Sequence, residues 1–79
     1  MEFISTNISG LFTIQLKKIE DERGFFSRTF CKKEFSQIGF HKEFVQFNQS
    51  LTKKTGTIRG IHFQQPPYSE YKLIRCIKG

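Results

Sequence analysis

Long apolar runs are missing from this sequence. None approaches the ~18 residues that cross a bilayer as a helix, and Met1-Glu2-Phe3-Ile4-Ser5 has neither a basic region nor an apolar stretch behind it. Without a membrane helix or a secretory leader, the expectation is a soluble, cytoplasmic protein with no membrane partner. Cysteine is scarce as well: Cys31 and Cys76 sit in no CxxC or metal-ligand spacing, so both are read as reduced, buried thiols. Internal repeats and low-complexity tracts are absent. With 79 residues there is room for one small domain, spanning 1–79, and a chain this short buries little surface unless a partner, a further segment or staples assist it.

Charge of one sign dominates. Thirteen basic residues against seven acidic ones give a formal charge of +6, which makes a polyanion the first partner to consider. The basic residues are spread in pairs, Lys17-Lys18, Lys32-Lys33 and Lys53-Lys54, with no single stripe. Such pairs are commonly just solvated, so no nucleic-acid partner is expected. A nucleoside diphosphate is a smaller anion that the same charge would suit.

The chain is rich in phenylalanine, with ten. Phe12 to Lys17 alternates apolar and polar residues with the period of a half-buried strand. Residues 20–24 then read as a turn, and Phe25 to Phe30 as a second strand. Lys32 to Ile38, with Phe35 and Ile38 three apart and Gly39 following, reads as a short helix with a glycine cap. Phe44 to Ser50 predicts a third strand, placing Gln46, Asn48 and Ser50 on one face and Val45 and Phe47 on the other. Lys53-Lys54-Thr55-Gly56 supplies a turn. Thr57 to Gln64 predicts a fourth strand, stopped by Pro66-Pro67, which cannot donate to a ladder, and Tyr71 to Ile77 a fifth. Short strands with Gly and Pro punctuation and one helix point to an all-β sandwich or barrel. The phenylalanines exceed what five strands can hide, so a second sheet and a dimer partner are the expected sinks. A chain ending at Gly79, just after a strand, leaves an open edge.

Several motifs follow one another in a fixed order: Asp21-x-Arg23-Gly24-Phe25-Phe26, Phe44-Val45-Gln46-x-Asn48-x-Ser50, Arg59-Gly60-x-His62-x-Gln64, Pro66-Pro67 and Lys72-Leu73. Each is weak alone, but in this order and spacing the chain resembles the dTDP-4-dehydrorhamnose 3,5-epimerase family, over nearly its whole length. The resemblance implies the N-terminal half of a cupin-like jelly-roll barrel. It also implies a dimeric enzyme that inverts carbons 3 and 5 of a nucleotide-diphosphate 4-keto-6-deoxy sugar, with no cofactor.

That chemistry needs a base for the weakly acidic protons beside the ketone, a cation or donor for the enolate oxygen, and an acid on the opposite ring face. The resemblance implies His62 as base, its ordinary pKa of about 6.5 letting it accept and return a proton. Outside the motif, a lone strand histidine is more often structural. Lys72 is implied beside the keto oxygen; its alternative is a solubility lysine on an edge strand. Arg23 and Arg59 are the natural ligands for the diphosphate, since guanidinium pairs bidentately with phosphate oxygens. Gln46 and Asn48 are implied as partners of sugar hydroxyls or supports for His62, and Phe26 as an apolar wall for the nucleotide or plain core.

Strict alternation puts Arg59 and His62 on opposite faces, so a bulge at Gly60 is expected if both serve one pocket. No metal site is expected, because metal-binding cupins usually present His-x-His where this chain has His62-Phe63-Gln64, and His41 lies far away. At Arg28 the classical dTDP-sugar epimerases tend to carry glutamate, which leaves the base and the sugar open. The family's general-acid tyrosine and the aspartate partnering its histidine lie in a C-terminal half that this chain does not include. A sugar ketoisomerase of the cupin type and a non-catalytic nucleotide-sugar binder are the competing readings.

Overall fold

The computed structural model describes every residue, Met1–Gly79. The chain divides into two compact units, Met1–Glu43 and Phe44–Gly79.

The first unit holds all the regular structure. Strands β1 (Glu2–Ser5) and β2 (Phe12–Gln15) form one antiparallel pair, and β3 (Lys18–Asp21) and β4 (Gly24–Ser27) another. The expected alternation in β2 is realised: Phe12 and Ile14 are half-buried, Thr13 and Gln15 exposed, and Phe3 of β1 lies opposite Ile14. The Thr6 hydroxyl organises the connection, donating to the Leu11 carbonyl at 2.9 Å and accepting from the Ile8 N–H at 3.1 Å. In the second hairpin Ile19 faces Phe26 and Glu20 faces Phe25.

Two strands here escape a reading by periodicity. β1 is four residues long, and β3 occupies residues assigned in part to a turn, because Lys18, Glu20 and Asp21 look like loop residues until Ile19 is paired. The strand expected over Phe25–Phe30 is realised only as Gly24–Ser27.

The expected helix forms in two pieces, α1 (Lys32–Phe35) and a 3-10 turn, Ser36–Ile38. It stops at Gly39, whose φ of 78° is left-handed, a conformation that glycine adopts without the penalty of a Cβ. Phe35 on α1 is the core, 3% exposed. Its ring meets Phe3, Phe30 and Phe40 edge-on, with centroids 5.1, 4.7 and 5.9 Å away, the geometry that aromatic quadrupoles favour. Glu34 ties the neighbourhood together, accepting from Arg28 Nη1 and from the Met1 amine, each at 3.2 Å.

The second unit departs from expectation. The strands predicted over 44–50, 57–64 and 71–77 do not form: the unit contains no helix or strand. Thr57 N–H donates to the Lys54 carbonyl at 3.3 Å and Tyr68 N–H to the Gln65 carbonyl at 2.8 Å. Both are turn bonds, the first closing the turn read at Lys53–Gly56.

The physical reason lies in what the strands would have to cover. A two-sided strand is stabilised by a paired neighbour and by an apolar layer to pack on, and isolated hairpins without such a layer are marginal. Val45, Phe47, Ile58, Ile61 and Ile74 remain 82–93% exposed, so no such layer is present within Phe44–Gly79. Cys76 is also exposed and Cys31 half-buried, and both are free thiols. Reading the two as buried is therefore corrected, because the strand that was to bury Cys76 is not assembled. The secondary structure is all-β in character, two small antiparallel sheets with one short helix. No helix is long and apolar enough to cross a membrane.

Candidate functional site

Arg23 stands at the tip of the β3–β4 hairpin, 86% exposed. Asp21 organises this turn: its Oδ1 accepts the Arg23 backbone N–H at 2.8 Å, and its Oδ2 accepts from Nη2 at 2.6 Å and Nε at 3.2 Å. This is an Asx-type turn closed by a charge-assisted fork. The contact with Arg23 holds the Asp21 carboxyl below its ordinary range and raises the Arg23 guanidinium further above its own. Asp21 was part of the sequence motif but had no role there; its spacing two residues before Arg23 was the signal. Phe26, on the same hairpin, is 70% exposed, so it is not core in this unit. Lys18 Nζ sits 4.6 Å over the Phe25 ring centroid, adding a second cation to the hairpin.

The remaining candidates all belong to Phe44–Gly79. Lys72 Nζ donates to the His62 backbone carbonyl at 2.6 Å and lies 3.3 Å from Glu70 Oε1. Across ten residues of chain, the two residues singled out for proton transfer and charge stabilisation are thus brought together, through the His62 backbone. The His62 side chain is exposed.

Arg59 Nη2 donates to the Leu51 carbonyl at 2.9 Å, so part of its guanidinium is engaged by the backbone. The bulge anticipated at Gly60 has no ladder to sit in, since residues 57–64 form no strand. Gly60 nonetheless has φ of +125° with open space where a Cβ would be, so backbone conformation and not crowding is what favours glycine there. Gln46 is exposed.

Asn48 lines a groove of about 500 Å³ whose walls are residues 48–50 and 73–78. Arg75 and Lys78 in this groove were not singled out from sequence, and counting charge segment by segment would have found them. No group of three or more His, Cys, Asp and Glu side chains is placed to hold a metal ion.

Comparison with known proteins bears on what these residues belong to. No solved structure matches significantly. The family model described as dTDP-4-dehydrorhamnose 3,5-epimerase matches residues 5–79. Among curated proteins, the dTDP-4-dehydrorhamnose 3,5-epimerase of Shigella flexneri is 42% identical over all of this chain and 44% of its own length. That of Sinorhizobium fredii is 40% identical over all of this chain and 40% of its own. The protein of the same name from Methanothermobacter thermautotrophicus is 39% identical over 98% of this chain and 40% of its own. The chain therefore spans about two fifths of the length of the curated relatives it matches. With the motifs in order and a match over residues 5–79, the chain belongs to the dTDP-4-dehydrorhamnose 3,5-epimerase family.

Proposed function

We propose that this polypeptide is part of a nucleotide-sugar 3,5-epimerase acting on a dTDP-4-dehydro-6-deoxyhexose, as one incomplete cupin-like domain of a cytoplasmic homodimer that needs no metal or redox cofactor. His62 removes the proton beside the 4-keto group, and the Lys72 ammonium stabilises the enolate that forms. Arg23 and Arg59 bind the diphosphate, Phe26 flanks the nucleotide, and Gln46 and Asn48 contact the sugar or support His62.

The observation that carries this reading is the 2.6 Å contact from Lys72 Nζ to the His62 carbonyl. An enolate forming next to the base needs a cation or a hydrogen-bond donor close to it, and a lysine tethered to the backbone of the base brings one there before substrate arrives. The exposed Arg23 guanidinium supports the diphosphate role, because Asp21 occupies Nε and Nη2 and leaves Nη1 for an anion.

Solvent deuterium wash-in into the 4-keto sugar nucleotide tests the proposal. Label at both C3 and C5, abolished by His62→Ala, is the expected outcome. Label at C3 without label at C5 would favour a ketoisomerase. Binding of dTDP without exchange, unchanged in His62→Ala, would leave only a nucleotide-sugar binder.

A further inference from the structure

Charge is divided unequally between the two units. Phe44–Gly79 holds six of the thirteen basic residues but one of the seven acidic ones, Glu70, so nearly all of the net positive charge belongs to it. That single carboxylate stands beside Lys72, its Oε1 3.3 Å from Nζ. A carboxylate two residues from a lysine is by itself ordinary surface electrostatics. The same ammonium, however, donates at 2.6 Å to the carbonyl of His62, ten residues away. Lys72 is thus held from two directions, by a neutral acceptor on the backbone of the proposed base and by a charged one. The Lys72 side chain is 39% exposed and that of Glu70 47%, so both stay within reach of a ligand.

The two contacts do different things. An ammonium has three N–H donors; the carbonyl and the carboxylate engage two and leave one for a ligand oxygen. The short carbonyl contact fixes where the ammonium sits. The longer carboxylate contact orients it more loosely and offsets part of the charge it presents. A ketone is neutral and feels little of this. An enolate oxygen is anionic, and once in contact with Nζ it lies only a few ångströms from the carboxylate, where repulsion opposes its formation.

We propose that Glu70 is a positioning residue acting through Lys72. It is the resident counter-ion of that ammonium, keeping free anions off it in a strongly positive unit and setting how much of its charge an enolate receives. The kinetic consequence rests on the epimerase reading; the pairing does not.

The test has two arms, each comparing the whole chain with its Glu70→Gln variant. Glutamine keeps an acceptor oxygen at nearly the same reach and removes the charge, so it separates charge from shape. In the first arm, without substrate, lysines are reductively methylated with formaldehyde and cyanoborohydride and quantified by mass spectrometry, with Lys53 as internal reference. Lys72 should react about two- to fivefold faster in the variant at low salt. That difference should shrink toward 1 M salt, where the screening length falls to about 3 Å, whereas a purely structural change would persist. In the second arm, solvent deuterium wash-in at saturating 4-keto sugar nucleotide should be about threefold or more faster in the variant, with the half-saturating concentration moving less. Equal methylation of Lys72 in the two proteins, or a difference that salt leaves untouched, would overturn the counter-ion. Altered methylation with wash-in unchanged or slowed would overturn its kinetic role alone. Absence of wash-in from both proteins would overturn the epimerase reading and the kinetic role with it, and the methylation arm would still decide the pairing.

Discussion

Met1–Glu43 and Phe44–Gly79 both carry the apolar alternation of strands, yet only the first turns it into ladders. Seven of the ten phenylalanines fall in the first unit, and three of them close around a fourth, Phe35. Its strand partners are also near neighbours in sequence: two residues separate β3 from β4, and six separate β1 from β2. Short closures cost little entropy, and for β1, which carries Phe3, the ring cluster repays it, while the β3–β4 tip is closed by the Asp21–Arg23 contacts. The second unit has strand-like residues without a cluster to bury them against. Strand pattern becomes a ladder here where the pairing partner is close in sequence, even with Ile19, Phe25 and Phe26 exposed in β3–β4, and the residues proposed for catalysis lie in the unit where no ladder forms.

The sharpest way to break that contrast is Phe35→Ala. Removing a ring at the centre of the core costs about 3–5 kcal/mol, comparable to the whole stability of a small unit. Unfolding followed by circular dichroism should show the ladders of Met1–Glu43 lost, making the two units alike. In the second unit, Phe47→Ala, at a side chain 82% exposed, should change stability by less than about 0.5 kcal/mol in the same measurement.

A smaller effect is expected from Gly39→Ala, where the left-handed backbone penalises a side chain by about 1 kcal/mol. Denaturant midpoints should fall accordingly, with fraying at Ser36–Ile38 visible in amide exchange.

Acid offers a graded test. The Arg28 guanidinium, and then the Met1 amine, hold the Glu34 carboxyl below its ordinary 4.5. Because the folded value lies under the unfolded one, this contribution is complete above pH 4.5 and is lost as pH falls through the lowered value. Glu34→Gln should remove that part of the acid transition of Met1–Glu43 in a pH titration of stability.

The smallest change should come from Asp21→Asn. Its amide can still accept the Arg23 N–H but loses the charged fork, so amide exchange at the hairpin tip should quicken while global unfolding barely moves. A nucleotide-binding assay on the same variant sharpens the proposed role of Arg23, since losing the carboxylate frees Nε and Nη2 and removes a negative charge beside the diphosphate, so binding should tighten.

Legibility in the sequence followed the same division. β2, the helix and its stop at Gly39 could be read from period and capping, because their partners lie within a few residues. β1 and β3 escaped because neither alternates: Phe3 and Ile4 are adjacent in β1, and β3 has one apolar residue, Ile19, which declares itself only when paired with Phe26. The pattern over 44–50, 57–64 and 71–77 was strand-like, but an alternating pattern states a preference for a covered face and cannot supply the cover. The site residues were legible as motif members, whereas the engagements of Arg23 with Asp21 and of Arg59 with the Leu51 carbonyl were not, since both depend on where the backbone turns.

By itself the sequence determined the family, through ordered motifs from Asp21 to Leu73, along with the positive charge and the places where the chain must turn. Only the tertiary structure decided which apolar patterns became strands, that Lys72 reaches the backbone of His62, and that Asn48 shares a groove with Arg75 and Lys78. The reason is that motif order and charge are properties of residues along the chain. Ladders and grooves are properties of pairs, and a pair exists only once the chain has brought both members within hydrogen-bonding reach.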